Sequence, residues 1–434
     1  MSIRQGAAGF ELCGFPDLKI EVWGTLDPSE RGENKRVKTL RLVVDAEHLE
    51  TAEADEAIGR AAEILRAGGL VGLPTETVYG LGANALDAAA VGRIFEAKQR
   101  PAWDPVIVHI SDLSMLDRLV EEVPGRARRL MGAFWPGPLT LLLPRSGAVP
   151  DVVTAGRALV GVRMPAHLMA LEVIRRAGVP VAAPSANTFG GISPTTAAHV
   201  LEDLDGLIDA VLDAGATAHG VESTVLDPCQ TPMVIYRPGA VTAEEIRAIG
   251  GAVVIFRRDG ELEETPRESM PSPGVGLRHY APRARLVLVE APLAELGVRL
   301  AEAALRWGGE RVGLMLPAGI ETAVEGAVVF GWGRWAAPEE LARELYAGLR
   351  ALDAEGCTVI LCPLPPAAGI GAAIRDRLLK AGNRNREQGR TRKQENLRSP
   401  KTVSGPHANL LVRKKSAFYS LFPIPSCRLA CTYI

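Results

Sequence analysis

The dipeptide Gly-Lys is absent from all 434 residues. A phosphate loop ending in Gly-Lys-Ser/Thr is therefore excluded. No stretch reaches 18 consecutive apolar residues, so no membrane-spanning helix is expected. The N-terminus lacks an apolar run behind a basic start, and a secretory leader is not expected either. The six cysteines (Cys13, Cys229, Cys357, Cys362, Cys427, Cys431) form no CxxC pair. Neither a structural zinc site nor a disulfide framework is indicated, and a reducing cytoplasm is the expected location. A general excess of positive charge is lacking too. The net charge is −2, but residues 381–434 hold eleven Lys and Arg against two Glu, which leaves −11 on the first 380 residues. Such an acidic body gives a nucleic-acid surface no support from bulk charge.

What is present is an ordinary globular composition, 47% hydrophobic and 23% charged, long enough for two or three domains. Apolar residues recur at helical spacing from Ala52 to Ala67, and Gly68-Gly69 ends that helix. Leu70–Leu73 reads as a strand. Asp87 is placed to cap a helix that carries Val91, Ile94 and Phe95 and ends near Lys98. VIVHI (106–110), LTLLL (139–143), LVGVR (159–163) and VPVAAP (179–184) read as strands, with helices near 124–134 and 167–177 between them. This alternation predicts an α/β fold with a parallel or mixed sheet. A Pro-, Glu- and Ser-rich stretch at 257–274 interrupts it and reads as a linker. A second α/β pattern follows, with strands at 285–290, 311–316, 327–330 and 357–362 and helices at 293–307 and 338–353.

The expected organisation is a weakly ordered extension (1–48), a first α/β domain (49–256), a linker (257–283), a smaller α/β domain (284–381) and a basic tail (382–434). In the tail alanine nearly vanishes and no amphipathic period appears, so disorder is expected there. A basic RNA-binding tail and a stretch of foreign sequence are the other readings.

Four polar stretches abut the apolar runs. PTETVYGLGANA (74–85) contains Gly80-x-Gly82-x-x-Ala85, which fits a loose dinucleotide-binding pattern. That pattern should open a helix, yet the helix here starts only at Asp87. AKQRP (97–101) puts Lys98 and Arg100 at a helix end, where cations can also simply satisfy the last carbonyls. APSAN (183–187) places Ser185 and Asn187 just past a strand, where α/β proteins gather ligands. VEST (221–224) precedes a short apolar run and can equally be a turn.

In this order and spacing, these stretches resemble the YrdC-like family of threonylcarbamoyl-AMP synthases in its two-domain form. IFEAKQRP (94–101), WPGPLT (135–140), VRMPAH (162–167), GVEST (220–224), RPG (237–239) and SPG…RHYAP (272–282) extend the resemblance over roughly residues 52–380. The resemblance implies a twisted mixed sheet with helices and a deep concave groove, followed by a smaller Rossmann-like domain. It implies that L-threonine, bicarbonate or CO2, and ATP with Mg²⁺ give threonylcarbamoyl-AMP and diphosphate. A separate transferase would then modify tRNA beside the anticodon; any direct tRNA contact would be weak.

By the same resemblance Lys98, Arg100, Ser185 and Asn187 would be catalytic. Thr77, His109, Arg163, Ala183 and Ser223 would surround L-threonine. Arg100, Asp104, Leu159, Ser185, Ser193, Arg237 and Tyr280 would contact ATP, and no protein side chain is assigned to metal. The linker would act as a lid. Two positions depart from the family pattern. Asp104 stands where the family commonly has Asn, and Val275-Gly276-Leu277 stands where a Met, a Lys and an aromatic usually follow SPG. A non-catalytic RNA-binding module is the rival reading. A carbamoyl-transfer enzyme of hydrogenase maturation is a third, but its cysteine pairs are missing.

Overall fold

The computed structural model describes residues 38–45, 50–256 and 280–382. Most of the expected extension, all but the last residues of the linker, and the tail beyond Gly382 lie outside the described residues.

Among the described residues of the first domain, eleven strands form one mixed sheet. They are β1 (Leu40–Val43), β2 (Val71–Leu73), β3 (Gly80–Asn84), β4 (Ile107–His109), β5 (Leu139–Pro144), β6 (Leu159–Arg163), β7 (Val181–Ala182), β8 (Ala210–Asp213), β9 (Thr224–Asp227), β10 (Met233–Arg237) and β11 (Val253–Ile255). Their order across the sheet is β1-β8-β2-β3-β7-β4-β6-β5-β9-β10-β11. Helices α1 (Ala52–Arg66), α2 (Ala88–Lys98), α3 (Gly125–Phe134), α4 (Asp151–Thr154), α5 (Leu168–Ala177), α6 (Ala197–Leu204) and α7 (Ala243–Gly250) join the strands. Local chemistry sets their ends. Thr51 caps α1 by accepting from Ala54 N, and Asp87 caps α2 by accepting from Ala89 N and Ala90 N. Thr242 and Glu245 form a reciprocal capping box at α7.

Two expectations change. The end of the extension is not weakly ordered, because Leu40–Val43 pairs in parallel with β8. The buried Thr39 hydroxyl donates to Ile208 O, and Arg41 pairs with Asp213 at 2.6 Å. The segment thus satisfies the backbone of β8 on that side. The second change concerns the glycine-rich stretch. Gly80–Asn84 is neither a phosphate loop nor a turn but a strand, antiparallel to both β2 and β7. A Cβ on Gly82 would lie 3.0 Å from both Leu73 Cδ1 and Val181 Cγ1. Glycine is required there by side chains of the neighbouring strands, not by a nucleotide.

The second domain is a four-stranded sheet in the order β12-β15-β13-β14, parallel throughout. Its strands are β12 (Arg285–Val289), β13 (Val312–Ala318), β14 (Val328–Arg334) and β15 (Val359–Pro363). Alternation along β15 sends Ile360 and Cys362 to one face and Val359 and Leu361 to the other. The first face is covered by α9 (Pro338–Ala354) and the helical residues 371–382, the second by α8 (Leu296–Ala304). Leu341, Leu345, Leu349 and Leu352 give α9 its apolar stripe. The same cluster takes in Val78, Ile192 and Val221 of the first domain, so the two domains share a core beside those loops.

Leu141 on β5 is fully buried at the centre of the first domain's core. Leu141→Ala is expected to lose about 2–5 kcal/mol of stability. Urea denaturation would show this as a lower midpoint with an unchanged slope.

Candidate active site

Alternation along the central strands decides which side chains leave the helix-covered core. On β4, Val108 enters that core while Ile107 and His109 face the other way, into a cavity. On β6, Val160 and Val162 are core residues and Arg163 faces the cavity. On β5, Leu139, Leu141 and Leu143 are core residues, and Thr140 bonds Ser223 across the opposite face. β4 and β6 run parallel with His109 opposite Arg163, so these two side chains arrive together. Ile107, Leu142 and Val225, packed with Leu159 and Tyr236, form a small apolar floor on this face.

The cavity measures about 60 Å³. Thr77, His109, Arg163, Ala183 and Ser223, all assigned to L-threonine by resemblance, line it. So do Arg100, Ser185, Arg237 and Tyr280 from the nucleotide and catalytic sets. Residues from seven separated sequence stretches and the linker therefore meet at one point. A larger cavity of about 860 Å³ lies between the 188–192 loop, α6 and α9, and none of the residues assigned from sequence lines it.

Among the described residues, each cation at the site is buried and held by partners. The Arg163 guanidinium lies 2.5 Å from Glu76 Oε1, donates through Nη1 to Thr77 Oγ1 at 2.9 Å and through Nε to Gly137 O at 3.1 Å. One hydrogen on each terminal nitrogen is left for a ligand. Burial alone would raise the Glu76 pKa, but Arg163 holds it below the ordinary glutamate value. Arg100 donates to the carbonyls of Asp104 and Pro105 and pairs with the Asp104 carboxylate at 3.0 Å. Asp104 is thus turned to the cation beside it, which accounts for an acid at this position. Arg237 donates to Ser223 O and to Ser223 Oγ, both at 3.0 Å.

Lys98, Asn187, Ser193, Asp104 and Leu159 do not line the cavity. Lys98 stands behind it, 1% exposed, with its ammonium on the carbonyls of Ser185 and Asn187. Burial, and then the Arg100 charge, push the Lys98 ammonium well below the ordinary lysine value. Its observed contact is the backbone of the Ser-x-Asn loop. Asn187 Nδ2 bonds Thr188 O and Gly191 O within that same loop. Ser193 Oγ bonds Glu222 Oε1 at 2.5 Å, and Leu159 belongs to the apolar floor.

Two acids were not singled out from sequence. Glu76 lies inside PTETVYG and Glu222 inside GVEST, each next to an assigned residue. Glu222 lines the cavity. Burial would raise its pKa, but Arg377 and then Arg237 hold the carboxyl at about 2. An acid flanked by apolar and hydroxyl residues beside a strand was the signal available; its partner Arg377 lies 155 residues away. His109 is the converse case. Burial, reinforced by the Arg163 charge, pushes its imidazole down to about 3, so it is neutral near pH 7. Its Nδ1 is buried without a hydrogen-bond partner among the described residues.

A desolvated pocket of guanidinium, hydroxyl and neutral imidazole groups lies on the open face of a mixed α/β sheet, a setting whose chemistry suits small anions held away from water. A family model for Sua5, YciO and YrdC proteins, described as telomere recombination, matches residues 63–239. A second, described as the threonylcarbamoyl-AMP synthase C-terminal domain, matches residues 241–383. The chain belongs to this family, in its two-domain Sua5 form. A Pyrococcus abyssi threonylcarbamoyl-AMP synthase is 46% identical over 324 residues, 74% of this chain and 92% of the relative. A Bacillus subtilis threonylcarbamoyl-AMP synthase is 42% identical over 346 residues, 80% and 98% of the two chains. The crystal structure of P. abyssi Sua5 complexed with L-threonine superposes with a TM-score of 0.73 at 43% identity, covering 80% of this chain and 98% of that one. The family read from the motifs is therefore the right one, and so is the large mixed sheet joined to a second, parallel one.

Two outcomes follow from the buried charges. His109 has its folded pKa near 3, below the ordinary 6.5. The unfolded chain therefore takes up a proton that the native site refuses, and stability falls as pH drops from 6.5 towards 3. The His109 resonance in an NMR pH titration should stay that of neutral imidazole between pH 8 and 5. Asp104→Ala leaves Arg100 buried without its acid and should cost about 3–5 kcal/mol in a denaturation experiment.

Proposed function

We propose that this chain is an L-threonylcarbamoyladenylate synthase that serves threonylcarbamoyl modification of tRNA. The observation carrying this reading is that all five threonine-side residues and four of the seven nucleotide-side residues, Arg100, Ser185, Arg237 and Tyr280, line one and the same cavity. In the reaction, the threonine amine adds to CO2 or bicarbonate-derived carbon and loses a proton, giving a carbamate. A carbamate oxygen then attacks the α-phosphorus of ATP, the bond from that phosphorus to the bridging oxygen breaks, and diphosphate leaves with the electron pair. The chemistry brings a carboxylate, a carbamate and a triphosphate together, so buried cations and fixed donors are what it needs.

Arg163 suits the threonine carboxylate, because Glu76, Thr77 and Gly137 already fix its plane and both terminal nitrogens keep a free hydrogen. Neutral His109 and the hydroxyls of Thr77 and Ser223 suit the rest of the amino acid. Valine would leave such buried groups unpaired, and discrimination of up to ~10⁴-fold is then attainable. Arg100, Ser185 and Arg237 face the phosphate side in this reading, Lys98 and Asn187 hold the Ser185 loop, and Tyr280 covers the nucleotide. In this reading Tyr280, at the cavity wall, closes over the nucleotide once it is bound. Closure behind the substrates would keep water from the labile carbamate and add proximity.

Mg²⁺ is proposed to arrive on the ATP phosphates. Among the described residues no group of three or more His, Cys, Asp or Glu could hold a metal ion, and Asp104 is committed to Arg100. The proposed location is cytoplasmic; no helix among the described residues is long and apolar enough to cross a membrane. The product would pass to a separate tRNA threonylcarbamoyl transferase, with weak tRNA contact at most.

The test is diphosphate release from ATP with L-threonine and bicarbonate, each omitted in turn. Release is expected only with all three. Release without threonine would overturn the proposal, and tRNA binding with no threonine-dependent release would favour the RNA-binding rival. Arg100→Ala should lower turnover by roughly 10²–10³-fold. Because that change strands Asp104, the R100A/D104N double variant should be equally inactive yet melt closer to the wild type.

A further inference from the structure

The second domain reaches the cavity wall through two side chains that do not themselves line it. Arg377, in the helical residues 371–382, is 1% exposed. Its Nε donates to Glu222 Oε2 at 2.7 Å, its Nη1 donates to Asp376 Oδ2 at 2.7 Å, and its guanidinium stands 5.1 Å from the centre of the Tyr280 ring. Tyr346, on α9, is fully buried; its hydroxyl donates to Glu222 Oε2 at 2.9 Å, and its ring stacks on Tyr280 at 5.8 Å. Both residues therefore hold the same two members of the wall, Glu222 and Tyr280.

Those two members need holding. Tyr280 has φ +67°, a conformation that a residue with a side chain adopts only when its surroundings impose it. Glu222 is a buried carboxylate, and a buried charge without a partner is expensive. It also precedes Ser223, whose hydroxyl and carbonyl orient Arg237. The backbones are matched to the same purpose. Gly220 has φ +69°, and a Cβ there would fall 2.4 Å from Arg343 Cα, so α9 rests directly on the loop that carries Glu222.

We propose that Arg377 and Tyr346 are positioning residues. The second domain fixes Tyr280 over the nucleotide side of the cavity and Glu222 beneath Ser223 and Arg237, and catalysis depends on its docking for that reason. The inference rests on the function proposed above, in which Tyr280 covers ATP. It assigns the second domain a part in ATP binding, although none of its own side chains lines the cavity.

The experiment uses the full chain and the variants Tyr346→Phe, Arg377→Lys, Arg377→Met and E222Q/R377M. Arg375→Gln is the control, since Arg375 pairs with Glu290 and Pro365 O instead. Per folded enzyme, Tyr346→Phe and Arg377→Met should raise KM for ATP by roughly 2- to 30-fold while KM for L-threonine changes little. Arg377→Lys should recover part of the loss, and the double variant should be less impaired than the product of its single effects. A purely structural role would lower the melting temperature and leave both KM values unchanged, which would overturn the proposal. Hydrogen exchange gives a readout that does not need turnover. The Ala281 amide, bonded to Gly190 O at 3.0 Å, should lose protection in Arg377→Met and keep it in Arg375→Gln. Unchanged protection would also overturn the proposal. If the wild type shows no threonine-dependent diphosphate release, the functional reading fails, and hydrogen exchange still decides whether Arg377 orders the Tyr280 segment.

Discussion

Five cations, Lys98, Arg100, Arg163, Arg237 and Arg377, are buried around one small space, and the arrangement of the site answers to that constraint. Taking a charge out of water costs several kcal/mol unless partners replace the solvent. The chain supplies a different partner in each case: carbonyls for Lys98, Asp104 for Arg100, Glu76 for Arg163, the Ser223 carbonyl and hydroxyl for Arg237, and Glu222 with Asp376 for Arg377. The partners immobilise the cations before any substrate arrives. Preorganised charge of this kind is what stabilises a transition state rich in negative charge.

The same constraint explains why acids occur where anionic substrates are expected. Asp104 and Glu76 look unfavourable beside phosphate or carboxylate when they are read as isolated residues. In the folded chain each is ion-paired, and the cation keeps hydrogens that point elsewhere. Glu222 extends this logic across the domain boundary. Its carboxylate collects Ser193, Tyr346 and Arg377, so residues from both domains meet on one buried charge. A second domain tied in this way is part of the site's architecture even though its residues lie outside the cavity.

Much of this was legible in the sequence, for identifiable reasons. Strands such as LVGVR and helices such as α1 and α2 are short-range objects, set by apolar period and by caps at Thr51 and Asp87. The motif residues were legible as a set because their types and order together are distinctive. The strand formed by Gly80–Asn84 was not, because glycine there answers to Leu73 and Val181 across the sheet. The strand at Leu40–Val43 was missed because it depends on an exposed edge of β8, 170 positions away in register.

The sequence by itself determined the α/β alternation, the division into two domains and the inventory of groups proposed to handle threonine and a nucleotide. Tertiary structure alone decided which of those groups face the cavity. It set Lys98 behind the wall and Arg100 on it, although they are two residues apart, because one side chain meets loop carbonyls and the other meets Asp104. It also joined Glu222 to Arg377 and placed Tyr280 against both Tyr346 and Arg377. Pairings of that kind depend on which surfaces are desolvated together, a property of the packed chain that no local run of residues encodes.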